Sequence, residues 1–273
     1  MTYENCPIFD THAHLGFPKI EARLEEVLSN AKEAGITRII TIGTDRESSE
    51  KAVSMAARYE EVFAVIGWHP CDVMEASDDV REELRHLASQ PKVVAIGETG
   101  LDYHHLPSKR EEGTAEDDRR LIEKQALIFR QHLEVAAEIG LNVVIHQRSA
   151  FDDTMEILKP FSDRVRGVFH CFVDCPERMQ QVLAIGSLVS FTGIVTFKNA
   201  TEVKETMLAT PLDSLMVETD SPFLAPVPKR GKPCEPAYVR HTAEFVADAR
   251  GITVEELSRS TCATAKSFFK GLL

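Results

Sequence analysis

The stretch Ile8-Phe9-Asp10-Thr11-His12-Ala13-His14 decides how this chain reads. A short apolar run gives way to two histidines one residue apart. In extended backbone, residues i and i+2 project from the same face. His12 and His14 therefore aim two imidazoles at one point, where a strand stops. Imidazole is a common metal ligand, so the pair reads as half of a metal site. The plain alternative is two unrelated polar residues at a strand end. No glycine-rich dinucleotide fingerprint follows this first strand, which weighs against a doubly wound open sheet.

Outward from that segment, short β-branched runs alternate with longer amphipathic ones. Strands are predicted at Ile8–His12, Arg38–Gly43, Val62–Trp68, Val93–Glu98, Asn142–His146, Gly167–Phe172, Leu188–Phe191 and Leu215–Glu218. Between them, Ile20, Leu24, Val27, Leu28, Ala31 and Ala34 repeat at helical spacing. Glu116–Ile139 is a longer apolar-striped helix with Gly140 at its C-cap position, and Pro176–Ile185 ends on Gly186 in the same way. Thr253 and Glu256 have capping-box spacing. Strand–helix alternation implies a parallel sheet. Eight such units over roughly 250 residues have the size of a (β/α)8 TIM barrel. No linker rich in Gly, Ser or Pro divides the chain, so residues 1–273 are expected to form a single domain.

The composition narrows the function classes. With 273 residues and 43% hydrophobic content, the chain can bury a substantial core. The net charge of −12 argues against a surface that grips duplex nucleic acid non-specifically. It leaves room for a local cationic cleft with bound metal. No apolar run approaches a membrane span, and the N-terminus lacks the features of a signal peptide, so a soluble cytoplasmic protein without a membrane partner is expected. The six cysteines are scattered, as reduced thiols are, and no second cysteine pair completes a zinc site beside Cys171 and Cys175.

Barrel enzymes place their chemistry at the C-terminal ends of the strands. The predicted ends here are His12 and His14, then His69, Glu98, His146, His170 and, after the eighth strand, Asp220. Singly, each has an ordinary explanation: a histidine bonding a loop carbonyl, a buried ion pair, an aspartate opening the turn before Ser221-Pro222. Together, four histidines (His12, His14, His146, His170) and two carboxylates (Glu98, Asp220) converging on one rim would be costly to bury without a cation. His69, in extended chain before Pro70, reads as a substrate contact or a support for the ligands. His104 and His105 follow in a loop, as substrate contacts or solvent-exposed residues. His86, His132 and His241 lie in helical segments and read as solvated or packing residues. The segment from Ser221 to Pro233 is stiffened by proline and carries Lys229 and Arg230. With Arg148, these are the candidate phosphate contacts, since barrel loops at that position often bind phosphate.

At this point the chain resembles the TatD family of metal-dependent deoxyribonucleases, within the amidohydrolase-like barrels. The resemblance is carried by Phe9-Asp10-Thr11-His12-Ala13-His14, Gly67-Trp68-His69-Pro70, Ile96-Gly97-Glu98-Thr99-Gly100-Leu101-Asp102-Tyr103, Val144-Ile145-His146, His170-Cys171-Phe172, Ser190-Phe191-Thr192-Gly193-Ile194-Val195-Thr196-Phe197-Lys198 and Glu218-Thr219-Asp220-Ser221-Pro222-Phe223-Leu224-Ala225-Pro226. It spans nearly the whole chain in order. It implies a metal-dependent phosphodiesterase acting on DNA, with 3'-5' exonuclease-type activity compatible, and a two-metal centre. In that centre His12, His14, Asp220 and Glu98 match the ligands of one divalent ion. Glu98, as a bridge, with His146 and His170 match those of the other. Departures are Val173 and Asp174 in place of a small polar pair with glycine, Thr264 in place of asparagine, and a charged insertion over Ser108–Asp118. The insertion bears on substrate preference rather than on catalysis.

The chemistry expected of such a centre is metal-assisted hydrolysis by hydroxide near neutral pH. Asp220 would take up the water's proton, Glu98 would act with it as a catalytic carboxylate, and His69 would orient a phosphate oxygen. The nitrogen-rich donor set favours zinc or manganese at least as much as magnesium. No organic cofactor is implied. The alternative is an amidase, lactonase or phosphoesterase acting on a small molecule. A bridging carbamylated lysine usually marks those relatives, and Glu98 stands here instead. A non-catalytic metal-binding scaffold is the remaining reading, and it would not need all six ligands.

Overall fold

The computed structural model describes residues 6–110 and 113–272. Eight strands form one parallel sheet in sequential order: β1 Ile8–Ala13, β2 Ile36–Ile42, β3 Val62–Ile66, β4 Val93–Asp102, β5 Val143–Arg148, β6 Gly167–Phe169, β7 Leu188–Phe191 and β8 Leu215–Val217. The sheet curls into a (β/α)8 barrel. Its seam is drawn together by an isolated parallel bridge between Ala13 and Ser221. Asp220 N donates to His12 O at 2.8 Å and His14 N to Ser221 O at 2.8 Å. The seam thus lies between the two segments that carry His12, His14 and Asp220. No described helix is long and apolar enough to cross a membrane.

The strands divide their side chains by the period of two that extended backbone imposes. On β3, Val62, Ala64 and Ile66 pack under the helical shell, whereas Phe63 and Val65 face the barrel axis. On β5, Val143 and Ile145 face out and Val144 in. The same parity carried past the last apolar residue turns His146, two after Val144, and His170, two after Val168, toward the axis. The opposite mouth is plugged by the helix Val254–Phe268, whose Phe268 packs with Phe269 and Leu272 against inward-facing Phe63, Val94 and Met216. The open mouth is therefore the one at the strands' C-terminal ends.

Glu98 does not follow from parity. Ile96, two residues earlier, belongs to the outer core, so a regular strand would turn Glu98 toward the helices. The β4–β5 register slips between Ile96 and Thr99. Gly97 sits within the slip at φ +142°, where an added Cβ would lie 2.6 Å from Val144 O. Only glycine fits this position, and the irregularity turns the carboxylate inward.

The helical predictions are met with small shifts. Glu116–Ile139 is a helix from Ala115 to Ile139, capped by Gly140 at φ +75°, and Pro176–Ile185 is one from Pro176 to Ala184. The Ile20–Ala34 repeat is split into Pro18–Glu21 and Leu24–Glu33. The Thr253 hydroxyl accepts from Glu256 N at 3.1 Å. Within the charged insertion, Thr114 and Asp117 cap the long helix and Asp118 accepts from Ser108 N. Glu111 and Glu112 lie outside the described residues.

His132 on that long helix is fully buried. Its Nδ1 lies 2.8 Å from Ile128 O, and its Nε2 accepts from Trp68 N at 3.0 Å, which requires the neutral ring. Burial pushes it down to about 4 from 6.5. The unfolded chain therefore binds this proton first as pH falls. The stabilisation is complete above pH 6.5 and is lost progressively toward pH 4, by about 3 kcal/mol at most. Urea midpoints should consequently fall more steeply between pH 6.5 and 4 in the native chain than in His132→Gln. Parallel pH profiles would contradict this assignment.

Candidate metal centre

The slip at Gly97 places Glu98 at the centre of the mouth, with its carboxylate 2% exposed. Its two oxygens face different partners. Oε2 lies 3.3 Å from His12 Nε2 and 3.7 Å from His14 Nε2. Those two nitrogens are 3.4 Å apart, and Asp220 Oδ1 is 3.3 Å from His14 Nε2 and 3.8 Å from His12 Nε2. Oε1 lies 2.8 Å from His170 Nε2, 3.1 Å from His146 Nδ1 and 3.5 Å from His69 Nε2. All six expected ligands thus meet in one place, and His69 joins them closer than its sequence position suggested.

The donor set fits metal. Nitrogen and oxygen ligands about 2.1 Å from a tetrahedral ion stand about 3.4 Å from one another, which is the spacing around Oε2. Glu98 Oε2 and His12 Nδ1 are buried with no hydrogen-bond partner among the described residues, an arrangement that would be costly without a cation. His12, His14 and Asp220 form one group of potential ligands; His12, Glu98 and His170 form another; His69, Glu98 and His146 form a third.

Electrostatics agree. Burial raises Glu98, but His170, His69 and His12 outweigh it and hold the carboxyl well below its usual range. Burial lowers His170, but Glu98 and Glu218 outweigh it and hold that ring well above its ordinary value. His14 and His146 are also raised, against burial, by Asp220 with Glu98 and by Asp102 with Glu98. Burial drives His12 down, and drives His69 down to about 3 with help from His146. Ionised carboxylates balanced by protonated imidazoles are a cluster from which a cation displaces protons.

Three buried acids outside the expected ligand set, Asp10, Asp102 and Glu218, support the site. Asp102 Oδ2 lies 3.0 Å from His146 Nε2 and fixes Nδ1 as the inward-facing atom. Glu218 accepts from Cys171 N at 2.7 Å and Ser190 Oγ at 2.6 Å and lies 3.5 Å from His170 Nδ1. Asp10, which burial pushes up to about 8, accepts from Thr219 N and Oγ1 at 2.9 and 2.6 Å, tying β1 to the segment bearing Asp220. Carboxylates behind ligand histidines orient them and raise their basicity. Asp102→Asn should cost about 10- to 100-fold in metal affinity, read by competition with a chelating dye; an unchanged affinity would remove Asp102 from this role.

A cavity of about 870 Å³ opens over the centre. Arg148 lines it, together with Lys51, Phe17, Phe223 and Val173. Lys229 and Arg230 are not among its lining residues: Lys229 Nζ sits 5.2 Å from the Tyr238 ring and Arg230 Cζ 3.7 Å from the Phe197 ring. Phe17 and Phe223 meet edge to face at 5.4 Å and remain 42% and 46% exposed. Lys51 and Phe17 carry no signal in the sequence beyond residue type, and Phe223 lies in a segment that carries the family resemblance.

Residues 9–270 match the family described as TatD related DNase. The chain is 39% identical over 264 residues to the uncharacterized metal-dependent hydrolase YabD of Bacillus subtilis, covering 96% of this chain and 99% of that one. It is 33% identical over 270 residues to the 3'-5' ssDNA/RNA exonuclease TatD of Erwinia billingiae, covering 96% and 99%. The crystal structure of YJJV, a TatD homologue from Escherichia coli K12, superposes with a TM-score of 0.87 at 26% identity, covering 97% of this chain and 98% of that one. With its (β/α)8 barrel and its histidine–glutamate cluster at the strand ends, the chain belongs to the TatD-related DNase family of metal-dependent hydrolases.

Proposed function

We propose that this chain is a deoxyribonuclease that hydrolyses phosphodiester bonds at the ends of single-stranded DNA, using two divalent cations. The observation that carries the reading is the division of Glu98: Oε2 faces His12 and His14, whose Nε2 atoms Asp220 also approaches, and Oε1 faces His146 and His170. We assign His12, His14, Asp220 and Glu98 to one ion, and Glu98, His146 and His170 to the other. When bound, such a pair supplies Lewis acidity, acidifying a water and offsetting charge on the phosphate.

The chain's own groups do the rest. Asp220, 14% exposed on the open side, receives the proton of the attacking water. His69 points Nε2 into the centre, while its Nδ1 accepts from Cys71 N at 3.1 Å; we assign it to orienting a phosphate oxygen. Arg148, in the cavity wall, meets phosphate charge directly. Lys229 and Arg230, stacked on aromatic rings, add positive potential at the approach. The exposed Phe17–Phe223 pair offers a face on which a nucleobase stacks, and an unpaired end places its bases there more readily than a duplex does. The net charge of −12 also favours a local grip on chain ends over duplex binding. The exonuclease activity in the name of the Erwinia relative is consistent with this reading.

The test is cleavage of 5'- and 3'-labelled single-stranded and duplex DNA, and of single-stranded RNA, by metal-free protein and after adding Mg²⁺, Mn²⁺ or Zn²⁺. Stepwise, metal-dependent shortening of single-stranded DNA is expected. Cleavage that survives exhaustive chelation, or turnover of small esters with no nucleic acid cut, would overturn the proposal.

A further inference from the structure

We infer that Cys71, Asp102 and His105 form an additional cation site of the zinc class in the cavity wall, outside the Glu98 cluster. Their donor atoms all lie within 4.8 Å of one another. Asp102 Oδ2 is the hinge. On its inner side it meets His146 Nε2 at 3.0 Å; on its outer side it meets His105 Nδ1 at 2.8 Å and Cys71 Sγ at 3.8 Å. A tetrahedral ion with a sulfur ligand at about 2.3 Å and an oxygen ligand at about 2.1 Å sets those two atoms about 3.6 Å apart, close to the sulfur–oxygen distance seen, whereas His105 Nδ1, at hydrogen-bond distance from Oδ2, moves out to about 3.4 Å when it ligates.

Asp102 is buried, whereas Cys71 and His105 are exposed and line the cavity. A cation can therefore arrive from solvent and keep water as its fourth ligand. Thiolate with imidazole selects zinc-like ions over magnesium. On binding, the Cys71 thiol proton leaves to solvent, the His105 ring carries its proton on Nε2, and the carboxylate is already ionised. The site is coupled to the centre: an outer cation draws on the same oxygen that orients His146. Excess zinc should therefore inhibit hydrolysis in the native chain. The inference stands apart from the choice of substrate.

The experiment is a Co²⁺ titration of the metal-free, full-length chain under reducing conditions, followed in the near ultraviolet for thiolate-to-cobalt charge transfer. No ligand assigned to the Glu98 cluster is a cysteine, so that cluster gives no such band. The band is expected in the native chain and in Cys171→Ser, which controls for the other cavity-lining thiol, and is expected to vanish in Cys71→Ser. Cys71→Ser should also retain one equivalent of zinc fewer after dialysis, and it should hydrolyse substrate normally at limiting metal. Absence of the band in the native chain, or its survival in Cys71→Ser, would overturn the inference.

Discussion

Glu98→Gln is expected to lower kcat/KM on a short single-stranded oligonucleotide by at least about 10³-fold, or about 4 kcal/mol of transition-state stabilisation. The side chain keeps its volume, so the buried position is not emptied. What changes is the charge and one of the two donor atoms. The carboxylate touches both clusters through separate oxygens, Oε2 at 3.3 Å from His12 and Oε1 at 2.8 Å from His170. An amide offers one oxygen, and its NH2 group presents hydrogens where the other side needs a lone pair. Removing one partner from a buried charged cluster costs far more than the mean value of a pair suggests, because the remaining charges are stranded. Metal content, measured by elemental analysis after dialysis, should fall by at least one equivalent per chain. A variant that retained full metal content and lost less than tenfold in kcat/KM would remove Glu98 from the bridging role.

The barrel was legible because its cause is local. Eight short apolar runs alternate with helical ones, and the glycines at 140 and 186 stop helices at the predicted places. The histidines were legible for the same reason: strand parity sends His146 and His170 inward from Val144 and Val168. What the sequence hid is non-local. Around Glu98 only Gly97 and Gly100 hint at an irregularity, and they do not say that it turns the carboxylate away from the side of Ile96. Asp102 meets His146 across 44 positions of chain, and Asp10 meets Thr219 across 209; such partners have no spacing to recognise. The basic loop after β8 shows the converse. Its position favoured phosphate contact, yet Arg230 lies over Phe197 and Lys229 over Tyr238, while Lys51, from the helix Arg46–Arg58, reaches the cavity instead. Aromatic rings compete with substrate for a cation's position, and that competition is settled only in three dimensions.

Asp220→Asn separates proton uptake from ligation, and its expected effect is a fall in kcat of about 10³-fold with KM within about threefold. The asparagine Oδ1 can still approach His14 Nε2, from which Asp220 Oδ1 stands 3.3 Å, so a ligand atom survives. The backbone is held independently: Asp220 N donates to His12 O at 2.8 Å, and the neighbouring Thr219 is fixed by Asp10. Asp220 itself has φ +59°, a region that asparagine enters at least as readily as aspartate. The substitution is therefore close to neutral for the fold, and the deficit should lie in chemistry. Burial opposes ionisation of Asp220, but His14 and His12 outweigh it and hold the carboxyl below its ordinary value. Such a group is a weak base in isolation and becomes useful only against a water acidified by the cations. Proton uptake and metal binding should then be inseparable: removing either should leave about the same residual rate, and the Asn variant should respond to added metal far less than the native chain does. A kcat within tenfold of native, with metal content intact, would assign the proton to another group, and His69, with Nε2 3.5 Å from Glu98 Oε1, would be the next residue to replace.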